Sequence, residues 1–162
     1  MHKILFICHG NICRSTMAQF VFKELVRRAG REDEFAIDSA ATSREEIGNP
    51  PHRGTVAKLR EVGIPVGPHR ARQVSRDEFD RWDHVVYMDE ENERGLRRIL
   101  GADAARACTK LLAYAGSPAD VADPWYTGDF DATYRDVVTG CSALFQHVTN
   151  CPAPALPAAR TR

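Results

Sequence analysis

An apolar segment, a short polar loop and an amphipathic helix open the chain, and this order constrains the fold more than any other feature of the sequence. Residues 3–7, KILFI, have the length and composition of a strand that is buried on both faces. After the loop CHGNICRS (residues 8–15), apolar residues recur at helical spacing over residues 18–29, and Gly30 favours a helix end. A buried strand that leads directly into a helix is typical of α/β proteins.

The same alternation of strand and helix patterns continues to residue 148. Strands are predicted at 3–7, 34–40, 84–88 and within 107–114, and helices at 18–29, 53–63, 89–100 and 131–148. Such alternation implies right-handed βαβ crossovers and a parallel sheet with helices on both faces. A chain of 162 residues suits one domain, which we place at residues 1–150. Residues 151–162 are rich in Pro and Ala and are expected to form a loose tail.

The charge balance and the cysteine content limit the classes of protein. Lys and Arg number 22, as do Asp and Glu, so the formal net charge is zero, which argues against a nucleic-acid-binding or membrane-coating protein. The sequence shows neither an apolar run of about 18 residues, as a membrane span requires, nor the pattern of a signal peptide. A cytoplasmic protein is therefore expected, and five cysteines, an odd number in a chain of this size, favour reduced thiols.

The loop CHGNICRS combines a thiol with groups that bind anions. Ligands of parallel sheets bind at the carboxyl ends of strands, where backbone N–H groups and the positive end of a helix surround an oxyanion. Gly10 and Asn11 tolerate the left-handed conformations of a tight loop, and Arg14 can hold two phosphate oxygens. Ser15 is expected to cap the helix or to donate to the thiolate of Cys8, the reactive form that positive surroundings favour.

Other interpretations of this loop are less well supported. A single cysteine at the end of a strand is commonly a small apolar residue. The pair Cys8 and Cys13 lacks a second Cys/His pair at zinc-ligand spacing, and the GK[S/T] ending of a nucleotide-binding P-loop is missing. The interpretation that remains is a nucleophilic thiol and an anion-binding arginine in the pattern Cys-x5-Arg, placed on a strand–loop–helix unit.

The segment ILFICHGNICRSTMAQ resembles the signature of the low-molecular-weight protein tyrosine phosphatase family, an apolar residue followed by CxGNICRSP. The likeness covers about residues 3–148 and continues through DSAATS, GNPPHRGTVAKLREVGI, HRARQV, FDRWDHVVYMDEEN and DPWYTGDFDATYRDV. It implies a three-layer α/β/α fold with a central four-stranded parallel sheet, phosphotyrosine phosphatase I-like with Rossmann-like topology. It also implies hydrolysis of phosphate monoesters with no metal and no other cofactor.

The resemblance further implies three catalytic residues. Cys8 would attack phosphorus and form a cysteinyl-phosphate, and Arg14 would bind the equatorial oxygens. Asp123 of DPWY would protonate the leaving phenolate and then deprotonate the attacking water. The substrate-binding positions that we assign are His9, Gly10, Asn11, Ile12, Cys13, Ser15, Glu45, Trp125 and Tyr126.

Supporting positions follow from the same resemblance. Ser39 and His69 match buried hydrogen-bonding partners of the loop, although the surrounding sequence GPHRAR alone would suggest a surface histidine at 69. Asp89 matches a family acid but is equally well explained as a helix N-cap, so we leave it outside the catalytic set.

The sequence departs from the family pattern at the rim of the expected pocket. His9 replaces an apolar residue that is frequent there, and the loop TSREEIGN carries Arg44, Glu45 and Glu46 where many relatives have an aromatic wall residue. An acidic wall would disfavour acidic peptides, whereas Arg44 would favour them.

Cys13 has two possible roles. The resemblance implies a reversible disulfide with Cys8 that protects the nucleophile, and the alternative is that Cys13 only packs behind the loop.

Four functions remain for comparison. The expected substrate is a phosphotyrosine-containing protein or a small aryl phosphate, handled by a monomer or weak dimer, and phosphoarginine is an alternative substrate. An arsenate reductase coupled to thioredoxin would need further cysteines, and the sequence has none between Cys13 and Cys108. A non-catalytic phosphoprotein-binding module would be expected to lose Cys8 or Asp123, and a dithiol redox protein would have no use for Arg14.

Overall fold

The computed structural model describes residues 1–158, and in these residues four parallel strands form one sheet in the order β2-β1-β3-β4. The strands are β1 (His2–Cys8), β2 (Phe35–Ala41), β3 (His84–Tyr87) and β4 (Thr109–Lys110). The helices are α1 (Arg14–Arg28), α2 (Arg53–Glu61), α3 (Glu90–Leu100), α4 (Ala102–Arg106), α5 (Pro124–Thr127) and α6 (Phe130–Thr149), and short 3₁₀ segments lie at Glu32–Glu34, Arg76–Arg81 and Leu111–Ala115.

Alternate residues of β1 face two separate cores. Ile4 and Phe6 pack into the core that α1 and α6 cover, and Leu5 and Ile7 pack into the core that α3 and α4 cover. All four of these side chains are fully buried. The structure therefore confirms both the predicted strand, buried on both faces, and the three-layer α/β/α fold with its four-stranded parallel sheet.

The helix ends follow the sequence signals. Gly30 and Gly63 adopt positive φ angles shortly after α1 and α2, where they reverse the chain. Asp89 caps α3, since its Oδ1 accepts a hydrogen bond of 2.8 Å from Asn92 N–H. None of the helices within residues 1–158 combines the length and apolarity that crossing a bilayer requires.

The first residues of the C-terminal tail are not loose. Arg28 Nη1 donates to Ala155 O at 2.9 Å, and Tyr134 Oη donates to Pro157 O at 2.8 Å. Ala153 and Leu156 also pack against the core that α1 and α6 cover. The expectation of a loose tail is therefore wrong for residues 151–158, because small apolar residues cover a core edge there, and residues 159–162 lie outside the described residues.

Candidate active site

The loop of residues 8–15, here called the Cys8 loop, joins the carboxyl end of β1 to the first turn of α1. In the strand order β2-β1-β3-β4, the chain leaves β1 on one side to form β2 and crosses to the other side to form β3. The Cys8 loop therefore lies where the direction of the sheet order reverses, which is where open α/β sheets bind ligands.

The backbone of the Cys8 loop turns at Asn11, whose φ is 62°. Asn11 Nδ2 stabilises this left-handed conformation because it donates to Ser15 Oγ at 2.8 Å and to Ser39 Oγ at 2.9 Å. Gly10 does not adopt a positive φ, contrary to expectation. A Cβ at Gly10 would instead lie 3.3 Å from Glu46 Cγ, so the glycine allows a close approach of the loop that carries Glu46.

A second set of hydrogen bonds holds the side-chain oxygen of Asn11. His69 Nε2 lies 2.8 Å from Asn11 Oδ1, and Arg72 N–H donates to the same oxygen at 3.2 Å. Ser39 Oγ donates to Gln19 Oε1. The side chain of His69 is only 7% exposed, and this burial lowers its pKa although Asp38 acts in the opposite direction. The structure thus brings both predicted supporting residues, Ser39 and His69, to the Cys8 loop.

The thiol of Cys8 is buried among polar groups. Its Sγ lies 3.1 Å from Ser15 Oγ and accepts a hydrogen bond of 3.3 Å from Asn11 N–H. Ser15 thus contacts the sulfur, and it does not cap α1, because the N-cap position is Cys13 and has no side-chain hydrogen bond. Among the two predictions for Ser15, the contact with Cys8 is the one observed.

Cys13 differs from Cys8 in its surroundings. Burial, reinforced by the negative charges of Cys8 and Asp123, raises the pKa of Cys13 to about 12. All five cysteines lie within residues 1–158, and all are free thiols.

The guanidinium of Arg14 joins three elements. Its Nη1 donates to Asp89 Oδ2 at 2.6 Å and to Val121 O at 3.2 Å, and its Nη2 donates to Asp123 Oδ2 at 3.2 Å. Burial lowers the pKa of Arg14, but the negative charges of Cys8, Asp89 and Asp123 outweigh this effect and the pKa is raised. Arg14 is therefore a permanent cation whose donors are aimed at carboxylate oxygens.

Residues 121–127, here called the Asp123 segment, form the facing wall. Asp123 caps α5, since its Oδ1 accepts a hydrogen bond of 3.0 Å from Trp125 N–H. Trp125 is 63% exposed and Tyr126 is 82% exposed, although both are large and aromatic.

One open cavity contains most of the predicted residues. Its lining comprises Cys8, His9, Gly10, Ile12, Cys13, Arg14, Glu45, Glu46, Glu91, Asp123, Trp125 and Tyr126. Asn11 and Ser15, predicted as substrate-binding, belong to the Cys8 loop but are fully buried and are not part of this lining. Sequence reasoning missed Glu91, which comes from the first turn of α3 and gave no separate signal.

The rim of the cavity is acidic. His9 Nε2 lies 3.0 Å from Glu45 Oε2, and His9 Nδ1 lies 3.8 Å from Glu91 Oε1. Arg44 is directed to another partner, because its Nε donates to Gln73 Oε1 at 3.0 Å. Within residues 1–158 no group of three or more His, Cys, Asp or Glu side chains is arranged to hold a metal ion.

Comparisons with known proteins identify the family. A sequence model described as low molecular weight phosphotyrosine protein phosphatase matches residues 3–151. The chain is 41% identical to the low molecular weight protein-tyrosine-phosphatase YfkJ of Bacillus subtilis over 150 residues, covering 91% of this chain and 96% of that protein. It is 36% identical to the human low molecular weight phosphotyrosine protein phosphatase over 150 residues, covering 88% and 93%.

Solved structures agree with the sequence comparisons. The crystal structure of YfkJ superposes with a TM-score of 0.88 at 40% identity and covers 93% of this chain and 96% of that one. A low molecular weight protein tyrosine phosphatase from Streptococcus pyogenes gives a TM-score of 0.83 at 34% identity and covers 92% and 94%. The chain described here belongs to the low molecular weight phosphotyrosine protein phosphatase family of enzymes that hydrolyse phosphate monoesters.

Proposed function

We propose that this enzyme hydrolyses phosphotyrosine through a cysteinyl-phosphate on Cys8, with Arg14 as phosphate-binding residue and Asp123 as general acid and base. The observation that carries the proposal is that Cys8, Arg14 and Asp123 line one cavity, with Arg14 Nη2 3.2 Å from Asp123 Oδ2. Similarity to phosphatases named for phosphotyrosine supports the substrate class.

In the first step, the Cys8 thiolate attacks phosphorus as the bond from phosphorus to the phenolic oxygen breaks. Protonated Asp123 gives its proton to that oxygen, so a neutral phenol leaves. The amides of the Cys8 loop and Arg14 stabilise the charge on the equatorial oxygens. A bound phosphate competes with Asp123 for Arg14 Nη2, which releases the carboxyl to hold the proton.

In the second step, water attacks the phosphorus of the cysteinyl-phosphate. The Asp123 carboxylate removes a proton from this water, the sulfur–phosphorus bond breaks, and inorganic phosphate and the Cys8 thiolate are formed. Ser15 Oγ and Asn11 N–H, at 3.1 and 3.3 Å from the sulfur, stabilise the thiolate in both steps. Every step uses protein groups and water, and the mechanism needs no metal or cofactor.

The acidic rim of the cavity favours phosphotyrosine substrates whose flanking residues are not acidic. Glu45, Glu46 and Glu91 line the mouth of the cavity while Arg44 binds Gln73. Glu45 therefore repels acidic peptides, and Trp125 and Tyr126 offer exposed rings to the phenyl group. We further propose a monomer or weak dimer in the cytoplasm, where reducing conditions keep Cys8 as a free thiol.

The test is hydrolysis of para-nitrophenyl phosphate near pH 6 with EDTA and fresh reductant. We expect activity that survives EDTA in the native protein and is lost in Cys8→Ser. Full activity in Cys8→Ser would contradict the proposal. Parallel assays with a phosphotyrosine peptide and a phosphoarginine peptide decide the substrate, and faster release of phosphate from phosphoarginine would overturn the choice of phosphotyrosine.

A further inference from the structure

His52 is attached to the Cys8 loop through its backbone and to α2 through its ring. Its N–H donates to Ile12 O at 2.7 Å, and its Nδ1 accepts from Gly54 N–H at 2.9 Å, which makes it the N-cap of α2. Because the backbone and one ring nitrogen are both held, the orientation of the imidazole is set relative to the Cys8 loop.

The same ring contacts two aromatic side chains beyond Asp123. It stacks on Phe130 with a centroid distance of 5.4 Å and an interplanar angle of 21°, and it meets Trp125 edge to face at 6.1 Å and 82°. Phe130 itself lies against Gly54, since a Cβ built there would lie 2.3 Å from Phe130 Cζ. The rings of His52, Trp125 and Phe130 thus form an aromatic cluster. This cluster packs the start of α2 against Trp125 of α5 and Phe130 of α6.

Trp125 in turn is linked directly to Asp123. The backbone N–H of Trp125 donates to Asp123 Oδ1 at 3.0 Å, and Pro124, which lies between the two residues, restricts the backbone. Trp125 is 63% exposed, and the edge-to-face contact with the His52 ring is one of the contacts that hold its indole against the protein. A shift of Trp125 would therefore carry the carboxyl of Asp123 with it.

We propose that His52 is a positioning residue that acts through Trp125 to hold the Asp123 carboxyl at the leaving-group oxygen. The inference rests on the proposed role of Asp123 as general acid. His52 connects the part of the site that binds phosphate to the part that supplies the proton, because one residue contacts Ile12 of the former and Trp125 of the latter. Misplacement of a catalytic group by about 1 Å costs up to roughly 100-fold in rate.

Two substitutions separate the ring of His52 from its capping nitrogen. His52→Asn keeps an acceptor for Gly54 N–H and removes the ring, whereas His52→Phe keeps a ring and removes the acceptor. The readout is kcat/KM for phenyl phosphate and for para-nitrophenyl phosphate, because nitrophenolate leaves with much less need of a proton than phenolate. A loss confined to the poorer leaving group reports on proton donation and not on general damage.

We expect His52→Asn to lose about tenfold on phenyl phosphate and about twofold or less on para-nitrophenyl phosphate. His52→Phe should lower the melting temperature while the ratio of the two kcat/KM values stays close to that of the native enzyme. Equal losses on both substrates in His52→Asn would overturn the inference.

Asp123→Asn is measured in the same assay to separate this inference from the proposed function. If Asp123→Asn is selective against phenyl phosphate and His52→Asn is not, the inference fails alone. If Asp123→Asn shows no selectivity, the general-acid assignment fails and this inference fails with it. Should His52→Asn not fold, Trp125→Leu removes the other ring of the contact. Because Trp125 also lines the cavity, its readout is the ratio of kcat/KM for phenyl phosphate to that for para-nitrophenyl phosphate, which should fall, and an unchanged ratio would overturn the inference.

Discussion

The Cys8 loop and the Asp123 segment face the same cavity, but they are held in different ways. Cys8 and Arg14 are 3% and 2% exposed, and Asn11 and Ser15 are fully buried. Trp125 and Tyr126, by contrast, are 63% and 82% exposed. The loop is thus formed by the same buried hydrogen bonds that stabilise the fold, whereas the segment depends on a few contacts. Substitutions in the loop should change stability and activity together, and those in the segment should change activity much more than stability.

Arg14→Lys should give the largest effect. Lysine keeps the positive charge but cannot donate from two nitrogens, so it cannot replace the contacts with Asp89 and Asp123 or bind two phosphate oxygens. We expect kcat/KM for para-nitrophenyl phosphate to fall roughly 1000-fold. Arg27→Lys, on the same helix and paired with Glu24, is the matched control and should keep native activity. An active Arg14→Lys enzyme would show that bidentate binding is not required.

Asp123→Asn should follow, with a loss of roughly 100-fold on phenyl phosphate and a smaller loss on para-nitrophenyl phosphate. Asparagine still caps α5 through its amide oxygen but loses the contact with Arg14 Nη2, so we expect only a small decrease in the melting temperature. Asp129→Asn alters the neighbouring cap of α6 in the same way and should leave kcat/KM unaltered. A large decrease in the stability of Asp123→Asn would contradict the distinction between loop and segment.

Asn11→Gly tests whether the side chain of Asn11, and not only its backbone conformation, builds the Cys8 loop. Glycine tolerates the φ of 62° but loses the bonds to Ser15 and Ser39. The free energy of unfolding should fall by about 2 kcal/mol and activity by roughly tenfold. Asn150→Gly, at φ 58° after α6, is the control and should change neither quantity appreciably. Similar results for both variants would indicate that the amide of Asn11 is dispensable.

Cys13→Ser tests the protective role that the resemblance implies. Because the pKa of Cys13 is about 12, it is a neutral thiol near pH 7, and peroxide should first convert Cys8 to a sulfenic acid. Attack by the Cys13 thiol would form a disulfide and release water, and dithiothreitol would then restore activity. In Cys13→Ser we expect recovery of less than about half of the activity, because further oxidation is irreversible. Equal recovery in both proteins would leave Cys13 with packing alone.

The smallest effect should be a pH dependence of stability from His69. Burial lowers its pKa in the folded protein, so the unfolded chain binds the proton first as pH falls below about 6.5. Stability is then lost from that pH down to the folded pKa. In His69→Gln the melting temperature should fall less between about pH 7.5 and pH 5.5.

His84→Gln is the control for this pH dependence. Burial lowers the pKa of His84 too, but it lies at the start of β3 beside Ile4 of β1, whereas the cavity lies at the carboxyl ends of these strands. Its substitution should reduce the pH dependence of stability and leave kcat/KM near pH 7 unchanged. An unaltered pH dependence in both variants would mean that other groups determine the acid sensitivity.

Most of the fold could be predicted because its elements are long enough to show a period. The predicted strand at 84–88 differs from the observed His84–Tyr87 by one residue at its end, and the predicted helix at 131–148 differs from Phe130–Thr149 by one residue at each end. Within 107–114 only Thr109–Lys110 forms a strand, because Leu111–Ala115 turns into a 3₁₀ segment. The four-residue helix α5 is shorter than two turns and could not show a periodic pattern.

The candidate site could be predicted where residues are adjacent in the chain, as in the Cys8 loop. Nothing in the sequence alone connects Asp123 with Arg14, and their contact of 3.2 Å comes from tertiary packing. The same applies to Asp89, which satisfies its capping role and also pairs with Arg14, and to the ring contacts of His52. Contacts between distant residues leave no local pattern when each side chain has an ordinary local explanation.

The central claim is that Cys8 carries the phosphoryl group between the two halves of the reaction. The most direct measurement is rapid acid quenching of the enzyme during turnover of para-nitrophenyl phosphate, followed by mass spectrometry of the peptide that contains Cys8 and Cys13. The account predicts one phosphoryl group on Cys8 in the native protein and none in Cys8→Ser. Turnover without phosphorylation of Cys8, or a phosphoryl group on Cys13, would contradict it.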